Sequence, residues 1–533
     1  MTTVAEHIIG ALKDAGVRRL FGMPGGGSNA DLVEAAAKLG LPFSLAHTET
    51  ASAFMASAQA EITGKPGACI ATLGPGVASI MNGVAHAFLD RVPLAVITDC
   101  HPQAAARMQH QRLPHGSLFS SITKFSAEIG KENACETLHR AMDALSTAPP
   151  GPVHLDMPAD VSSLVAANWC GHSKSVTPSQ RNQEISDPVR EILRAMRRPA
   201  ILVGLGARDR QIAVTLQSFC EHMAIPALVT YKAKGVVPDD HAWFGGVLTN
   251  GALERDLLQR ADGFIAIGLD PVELLPVSWR FSGPVISVNP WPIMQEQIPI
   301  AAELTGEVGR WLREVEEFLP RRSEWSETEI SQLVQAQRNA MRPRNRDGQM
   351  CPQRVVEIAA EVYPNARITV DAGAHMFSVM SLWPAKDPGG VLISNGLSTM
   401  GFALPAAIGV SLLDSSQPTL AFTGDGGLLM CLGELRTAAR EKLPLRIIVF
   451  DDGALSLIKI KQIKRGYRTD GVTIGDVSWE TLATSMGVRG STALTEEAVF
   501  ASLRESATYP GPVLIAAKIS DETYPETMRA LRG

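Results

Sequence analysis

Leu420-Ala421-Phe422-Thr423-Gly424-Asp425-Gly426-Gly427, then an amphipathic stretch, then Leu445-Arg446-Ile447-Ile448-Val449-Phe450-Asp451-Asp452-Gly453 decide how this chain folds. Each block is a short apolar run that ends in an acidic, glycine-rich turn. Asp425 and Asp452 lie 27 residues apart (452 − 425), which leaves room for a strand–helix–strand crossover between parallel strands. Parallel neighbours deliver their carboxyl ends to one sheet edge, where open α/β sheets bind ligands. Gly424, Gly426 and Gly427 let backbone N–H groups approach phosphate oxygens with no Cβ in the way. Asp425 and Asp452 are hard oxygen donors suited to Mg2+. A lone Gly-Asp-Gly is common in ordinary turns. The second acidic turn at crossover distance is what makes the pair read as a metal and phosphate clamp.

The same alternation runs outward in both directions. Ala68–Thr72, Leu94–Thr98 and Val153–Met157 read as buried strands, as do Ala200–Val203, Gly263–Ile267 and Val285–Val288. Ile368–Asp371 and Val513–Ala517 complete the set. Strands alternating with helical patterns predict an α/β protein of doubly wound parallel sheets, covered on both faces. The chain has 533 residues, too many for one core. Polar Gly171 to Asp187 and charged Pro320 to Met350 read as linkers. Three domains are therefore expected, over 1–170, 188–320 and 350–533. In the middle one, Gly204-Leu205-Gly206 follows a strand but lacks the third glycine of a dinucleotide loop. A Rossmann-like sheet with a vestigial or absent nucleotide site is expected there.

Composition removes several classes. The 49 basic and 55 acidic residues give a net charge of −6, and no basic, aromatic-interleaved stretch points to nucleic acid. No uninterrupted apolar run is long enough to span a bilayer, and the first residues lack a signal-peptide pattern. The seven cysteines are scattered without metal-ligand spacing, and most read as buried small hydrophobes of a reducing compartment. A cytoplasmic protein with no membrane or nucleic-acid partner is the expectation.

Further motifs then fall into one pattern. Ala46-His47-Thr48-Glu49-Thr50-Ala51-Ser52 lies at a strand-to-helix turn, and Ser394-Asn395-Gly396-Leu397-Ser398-Thr399-Met400-Gly401 precedes a helix-start pattern at Ala403. Phe21-Gly22-Met23-Pro24-Gly25-Gly26-Gly27, Gly74-Pro75-Gly76, His110-Gln111 and Asp371-Ala372-Gly373 are the others. Together with the acidic clamp, these resemble the thiamine-diphosphate-dependent 2-oxoacid decarboxylase and carboligase superfamily, and most nearly acetolactate synthase. The resemblance covers the whole chain and implies a pyrimidine-binding, a middle and a diphosphate-binding domain in that order.

The resemblance implies roles residue by residue. Glu49 would contact N1′ of the cofactor's aminopyrimidine, where proton exchange activates the thiazolium carbon as a nucleophile. Met400 would sit beneath the two rings and bend them together, which is catalysis by proximity. Gly25, Gly74, Ser398, Gly424, Asp425, Gly426, Gly427 and Leu457 would contact thiamine diphosphate. Asp425, Asp452 and the Ala454 carbonyl would hold Mg2+. Gln111 would act near cofactor and substrate, with Gly26 and Lys461 as further substrate-side positions. Asp452 stands where the family has asparagine, and Lys461 where biosynthetic acetolactate synthases have tryptophan. Lys461 reads either as a solvated helix residue or as the partner of an anionic substrate. FAD on the middle domain is possible, but no decisive flavin motif is present. The implied activity is 2-oxoacid decarboxylation with carboligation. Its rivals are simple decarboxylation, 2-hydroxyacyl thioester cleavage, flavin-linked oxidation, and a catalytically idle relative. A homodimer or homotetramer with sites between subunits is implied.

Overall fold

The computed structural model describes residues 2–102, 104–106, 108–166, 184–293, 297–343 and 349–533. Most of the first expected linker, 171–183, lies outside them. Three six-stranded sheets follow one another along the chain, and every strand pairing within them is parallel.

The first sheet holds β1 (Leu20–Met23), β2 (Phe43–Leu45), β3 (Gly67–Ala71), β4 (Leu94–Cys100), β5 (Phe125–Glu128) and β6 (Val153–Pro158), in the order β2-β1-β3-β4-β6-β5. The second holds β7 (Pro199–Val203), β8 (Ala227–Val229), β9 (Phe244–Val247), β10 (Gly263–Ile267), β11 (Val285–Asn289) and β12 (Ile300–Thr305), in the order β12-β11-β10-β7-β8-β9. The third holds β13 (Arg367–Val370), β14 (Val391–Ile393), β15 (Thr419–Gly424), β16 (Leu445–Asp451), β17 (Arg489–Ala493) and β18 (Val513–Lys518), in the order β14-β13-β15-β16-β18-β17. The first and third sheets thus share one topology. In each, the strand order reverses between the first and third strands, and that reversal opens a crevice at the carboxyl edge.

Central strands are buried along their whole length, as Leu94–Cys100 and Leu445–Asp451 illustrate. The first and third sheets share a core through two helices, Glu49–Thr63 and Ala403–Leu413. Small residues let these helices touch: a Cβ on Gly409 would lie 2.4 Å from the Met55 carbonyl. Gln59 Nε2 donates to Gly409 O at 2.8 Å across the same contact. The middle sheet keeps its own core.

The stretch 320–350, expected as a linker, contains the helix Glu327–Ala340. Its buried Ile330, Leu333, Val334 and Gln337 keep helical spacing beneath a charged exterior, and the three apolar ones join the middle core. Cys69, Cys100, Cys220, Cys351 and Cys431 are buried free thiols, whereas Cys135 is disulfide-bonded. No helix among the described residues is long and apolar enough to cross a membrane.

Candidate active site

The crevice of the third sheet is a cavity of about 220 Å³. Residues Ala372 to His375 after β13 and Gly424 to Gly427 at the end of β15 form one side, and Asp452 with Ala454 to Ile458 after β16 form the other. The N-termini of the helices Ala374–Leu382 and Ser456–Lys464 both meet this space, so two helix dipoles offer positive ends to an anion. The glycines are needed sterically. A Cβ on Gly427 would lie 2.4 Å from Asp371 Oδ2, and one on Gly426 would lie 2.9 Å from Leu455 Cδ2.

The two clamp aspartates are held by backbone. Asp425 accepts from the N–H of Gly426 at 2.7 Å and of Gly453 at 2.8 Å. Asp452 accepts from Ala454 N–H at 3.1 Å and from Ser456 Oγ at 2.9 Å. Burial, reinforced by neighbouring carboxylates, pushes Asp425 up to about 6 and Asp452 up to about 7. A divalent cation would relieve that cost by neutralising both. The bridging bonds Ile474 N–H to Gly453 O and Leu455 N–H to Val472 O flank Ala454 and leave its carbonyl outside them. This donor set fits Mg2+ with a diphosphate.

His375 adds a donor that the sequence reading passed over. It is buried, lines the cavity and stacks on Phe450 at 5.1 Å between ring centroids. Burial drives its pKa down to about 3, so the ring is neutral, and its Nε2 has no partner among the described residues. An orphaned ring nitrogen facing a phosphate-sized cradle fits a diphosphate oxygen. The signal in the sequence is its place two residues after Gly373, at the end of the Asp371-Ala372-Gly373 motif.

Met400 is half-buried at the cavity wall, with its Cε 3.3 Å from the place a Gly426 Cβ would take, and so is not a core methionine. Asp371 fixes its loop by accepting the N–H of Phe402 at 2.6 Å and of Ala403 at 2.8 Å, while Thr423 Oγ1 donates to the other oxygen at 2.7 Å. Ser398 lines the cavity with φ +51°, and Leu457 lies opposite. Lys461 is exposed one turn beyond Leu457 and does not line the cavity.

A second group forms in the first sheet, at the equivalent crevice. Glu49 is buried as the first residue of its helix, which Thr48 caps by accepting from Ala51 N–H at 3.1 Å. Its carboxylate accepts no hydrogen bond among the described residues. Gly76 faces it: a Cβ there would lie 3.0 Å from Glu49 Oε1. Gly25 packs on Thr72, and Gly74, at φ +67°, packs on the backbone of Gln111. Gly26 is exposed with open space above it. The structure therefore gathers Glu49, Gly25, Gly74 and Gln111 in one half-site and the clamp with Met400, Ser398 and Leu457 in another. No residue of the first half-site lines the clamp cavity of the same chain.

Three family profiles match in the order the sheets follow. The N-terminal TPP binding domain of thiamine pyrophosphate enzymes matches residues 2–118, the central domain 187–315 and the C-terminal TPP binding domain 371–517. The chain belongs to the thiamine-diphosphate-dependent enzymes. It is similar to acetolactate synthase of Bacillus subtilis (strain 168), at 27% identity over 96% of this chain and 92% of that protein. It is also similar to the catabolic acetolactate synthase of Raoultella terrigena, at 27% over 99% and 97%. A probable 2-ketoarginine decarboxylase of Pseudomonas aeruginosa is 28% identical over 86% of this chain and 83% of that protein. This is thus an acetolactate synthase-like thiamine-diphosphate enzyme of the decarboxylase and carboligase kind.

Within this enzyme the middle crevice differs from the other two. Glu273 lies over the Gly204-Leu205-Gly206 turn, accepting from Leu205 N–H at 2.9 Å and from Thr230 Oγ1 at 2.6 Å. A Cβ on Gly204 would lie 2.4 Å from that carboxylate. The backbone donor a nucleotide phosphate would use is taken by the buried Glu273 carboxyl, so these residues do not fit a flavin diphosphate at that turn. His110 is exposed. His115 is buried and bonded through Nδ1 to Asp156 at 2.7 Å, a structural arrangement.

Proposed function

We propose that this enzyme decarboxylates a 2-oxoacid and joins the retained acyl unit to a second carbonyl, as the names of its acetolactate synthase relatives suggest. The observation that carries the reading is the pairing of a glycine-cradled clamp at Asp425 and Asp452 with a buried, unpartnered Glu49 facing Gly76. Bound thiamine diphosphate supplies a carbanion-like nucleophile and an electron sink. The chain's own residues do the rest. Asp425, Asp452 and the Ala454 carbonyl would hold Mg2+, and Gly424, Gly426, Gly427 and His375 would receive the diphosphate. Met400 and Leu457 would form the wall against the cofactor's rings, with Ser398, Gly25 and Gly74 as further contacts. Glu49 would hold and exchange a proton with the aminopyrimidine, and Gln111 and Gly26 would border the substrate side. In this reading 1–170 binds the pyrimidine, 188–320 is the middle unit and 350–533 binds the diphosphate.

The separation of the half-sites supports a homodimer or homotetramer in which Glu49 of one copy meets the clamp of another. Met430 and Ile458, 63% and 43% exposed beside the clamp, are apolar surface for such a contact. A cytoplasmic setting accords with the five buried free thiols; the bonded Cys135 weighs the other way.

The test is C2-proton exchange of the cofactor on the purified enzyme with Mg2+. Glu49→Gln is expected to bind cofactor and lose exchange by at least about a hundredfold. Equal exchange in both proteins would sink the reading. Product analysis with pyruvate alone separates acetolactate from acetaldehyde and acetate.

A further inference from the structure

A cavity of about 260 Å³ lies between the middle sheet and the last helix, Tyr524–Arg532. Arg255, Arg280 and Arg532 stand around it, and Leu275, Pro276 and Phe281 form an apolar wall. Among the described residues none of the three arginines pairs with an acidic side chain. Elsewhere in this net-acidic chain arginines have carboxylate partners, as Arg198 does with Glu329 and Arg354 with Glu496. Arg532 is instead held over the Phe377 ring at 5.3 Å.

The wall is built before any ligand arrives. Asn250, buried with φ +63°, donates Nδ2 to Val277 O at 2.8 Å, and Leu275 N–H donates to Thr249 O at 2.9 Å. Ala252 N–H donates to Leu531 O at 2.7 Å, and a Cβ on Gly251 would lie 2.2 Å from the same oxygen. The cavity also has a continuation. Leu275, Pro276 and Arg532 line a second space of about 260 Å³ that passes Met376 and Gly396 and reaches Ser398. Ser398 in turn lines the clamp cavity.

We infer that this groove binds a substrate whose reacting carbonyl lies beside Ser398 and Met400 and whose far end carries an oxyanion, a carboxylate or a phosphate, held by Arg255, Arg280 and Arg532. The inference rests on the reading under Proposed function and names the substrate class for it. Guanidinium groups match planar oxyanions with paired N–H donors. Three unpaired cations around one cavity repel each other until an anion joins them. The apolar wall covers the carbon chain in between. A three-carbon oxoacid such as pyruvate would occupy only the Ser398 end.

The test uses the full-length enzyme loaded with thiamine diphosphate and Mg2+. Consumption of 2-oxoadipate, of a 2-oxoacid with a terminal phosphate, and of uncharged 2-oxohexanoate is compared. At least one anionic tail is expected to raise kcat/KM about tenfold or more over the uncharged chain. The stronger of the two identifies carboxylate or phosphate. The preference should fall to about one in Arg255→Gln/Arg532→Gln, and by a smaller factor in Arg280→Gln, whose exposed side chain can be replaced without disturbing the core. No preference in the wild type, or a preference unchanged in both variants, overturns the inference. If no oxoacid is turned over, the functional reading fails separately. Titration calorimetry with 2-oxoadipate then decides the groove alone: binding that is lost in the double variant upholds it, and no binding up to ~10 mM overturns it.

Discussion

Glu434 accepts the backbone N–H of His47 at 2.8 Å, so a carboxylate of the third sheet's layer holds the turn from which Glu49 begins its helix. The same oxygen accepts from Thr48 N–H at 3.2 Å, and Thr437 Oγ1 donates to the other at 2.7 Å. The reverse contact also exists. Asp90, from the first sheet's layer, accepts the N–H of Asn395 at 3.1 Å and of Gly396 at 2.7 Å, at the start of the loop that carries Met400. Each functional loop is thus tied by an acid from the other layer.

Glu434→Ala strands two backbone donors in a buried place, at about 1–3 kcal/mol. We expect a lower midpoint in thermal denaturation together with a fall in kcat of about tenfold or more. Glu434→Gln keeps an acceptor oxygen and should recover most of both. Equal turnover in the alanine variant and the wild type would remove the positioning role.

At the clamp, Asp425→Asn puts an amide N–H against the N–H of Gly426 or Gly453. Cofactor affinity at saturating Mg2+, read by titration calorimetry, should drop about a hundredfold. Asp452→Asn removes one of two crowded carboxylates and should change affinity by no more than about tenfold.

Glu273 supplies a pH dependence whose sign follows from its burial. Burial pushes this carboxyl up to about 7 from an ordinary 4.5. Between those values the unfolded chain has released a proton that the folded chain still holds, so this group lowers stability as pH rises through that window. Glu273→Gln keeps an acceptor for Leu205 and Asp270 and offers an N–H to Thr230. Relative to wild type it should gain stability from pH 5 to pH 8, by roughly 3 kcal/mol at most. Urea denaturation at the two pH values measures it. A constant difference would show that Glu273 does not titrate there.

Lys232 reaches from the middle sheet's layer to Glu61 at 2.6 Å and Asp90 at 3.1 Å, and its ammonium also donates to Ile393 O at 3.0 Å. All three side chains are buried. Lys232→Met leaves two buried carboxylates without their shared cation and should destabilise the protein by about 3–5 kcal/mol in chemical denaturation. Adding Glu61→Gln and Asp90→Asn should return part of that loss.

Legibility in the sequence followed the length and evenness of the apolar runs: short buried strands such as β8 and β14, three residues each, carry too little pattern to stand out. The central strands β3, β4, β15 and β18 are built on apolar runs because both faces are covered, and β6 alternates Val153, Leu155 and Met157 with buried His154 and Asp156. Edge strands such as β5 and β17 were passed over because they are only partly buried and their residues are mixed. The helix Glu327–Ala340 was hidden by its charged exterior, although Ile330, Leu333, Val334 and Gln337 keep the spacing. At the site, the clamp, Glu49 and Met400 were readable because each belongs to a short contiguous motif. His375 was not, since its meaning depends on Phe450 beneath it and on a ring nitrogen left without a partner.

By itself the sequence determined the α/β class, the cofactor family and the positions of the acidic turns. Those rest on local spacing: strand and helix periods, and glycines where backbone must approach a ligand. Tertiary structure alone decided that the first and third sheets repeat one topology, and that Glu49 and the clamp do not meet in one cavity of a single chain. It decided that Glu273 closes the middle crevice and that Arg255, Arg280 and Arg532, without acidic side-chain partners among the described residues, open onto a groove leading to Ser398. Contacts such as Glu434 with His47, 387 residues apart, carry no periodic signature, because they come from packing between layers rather than from neighbours along the chain.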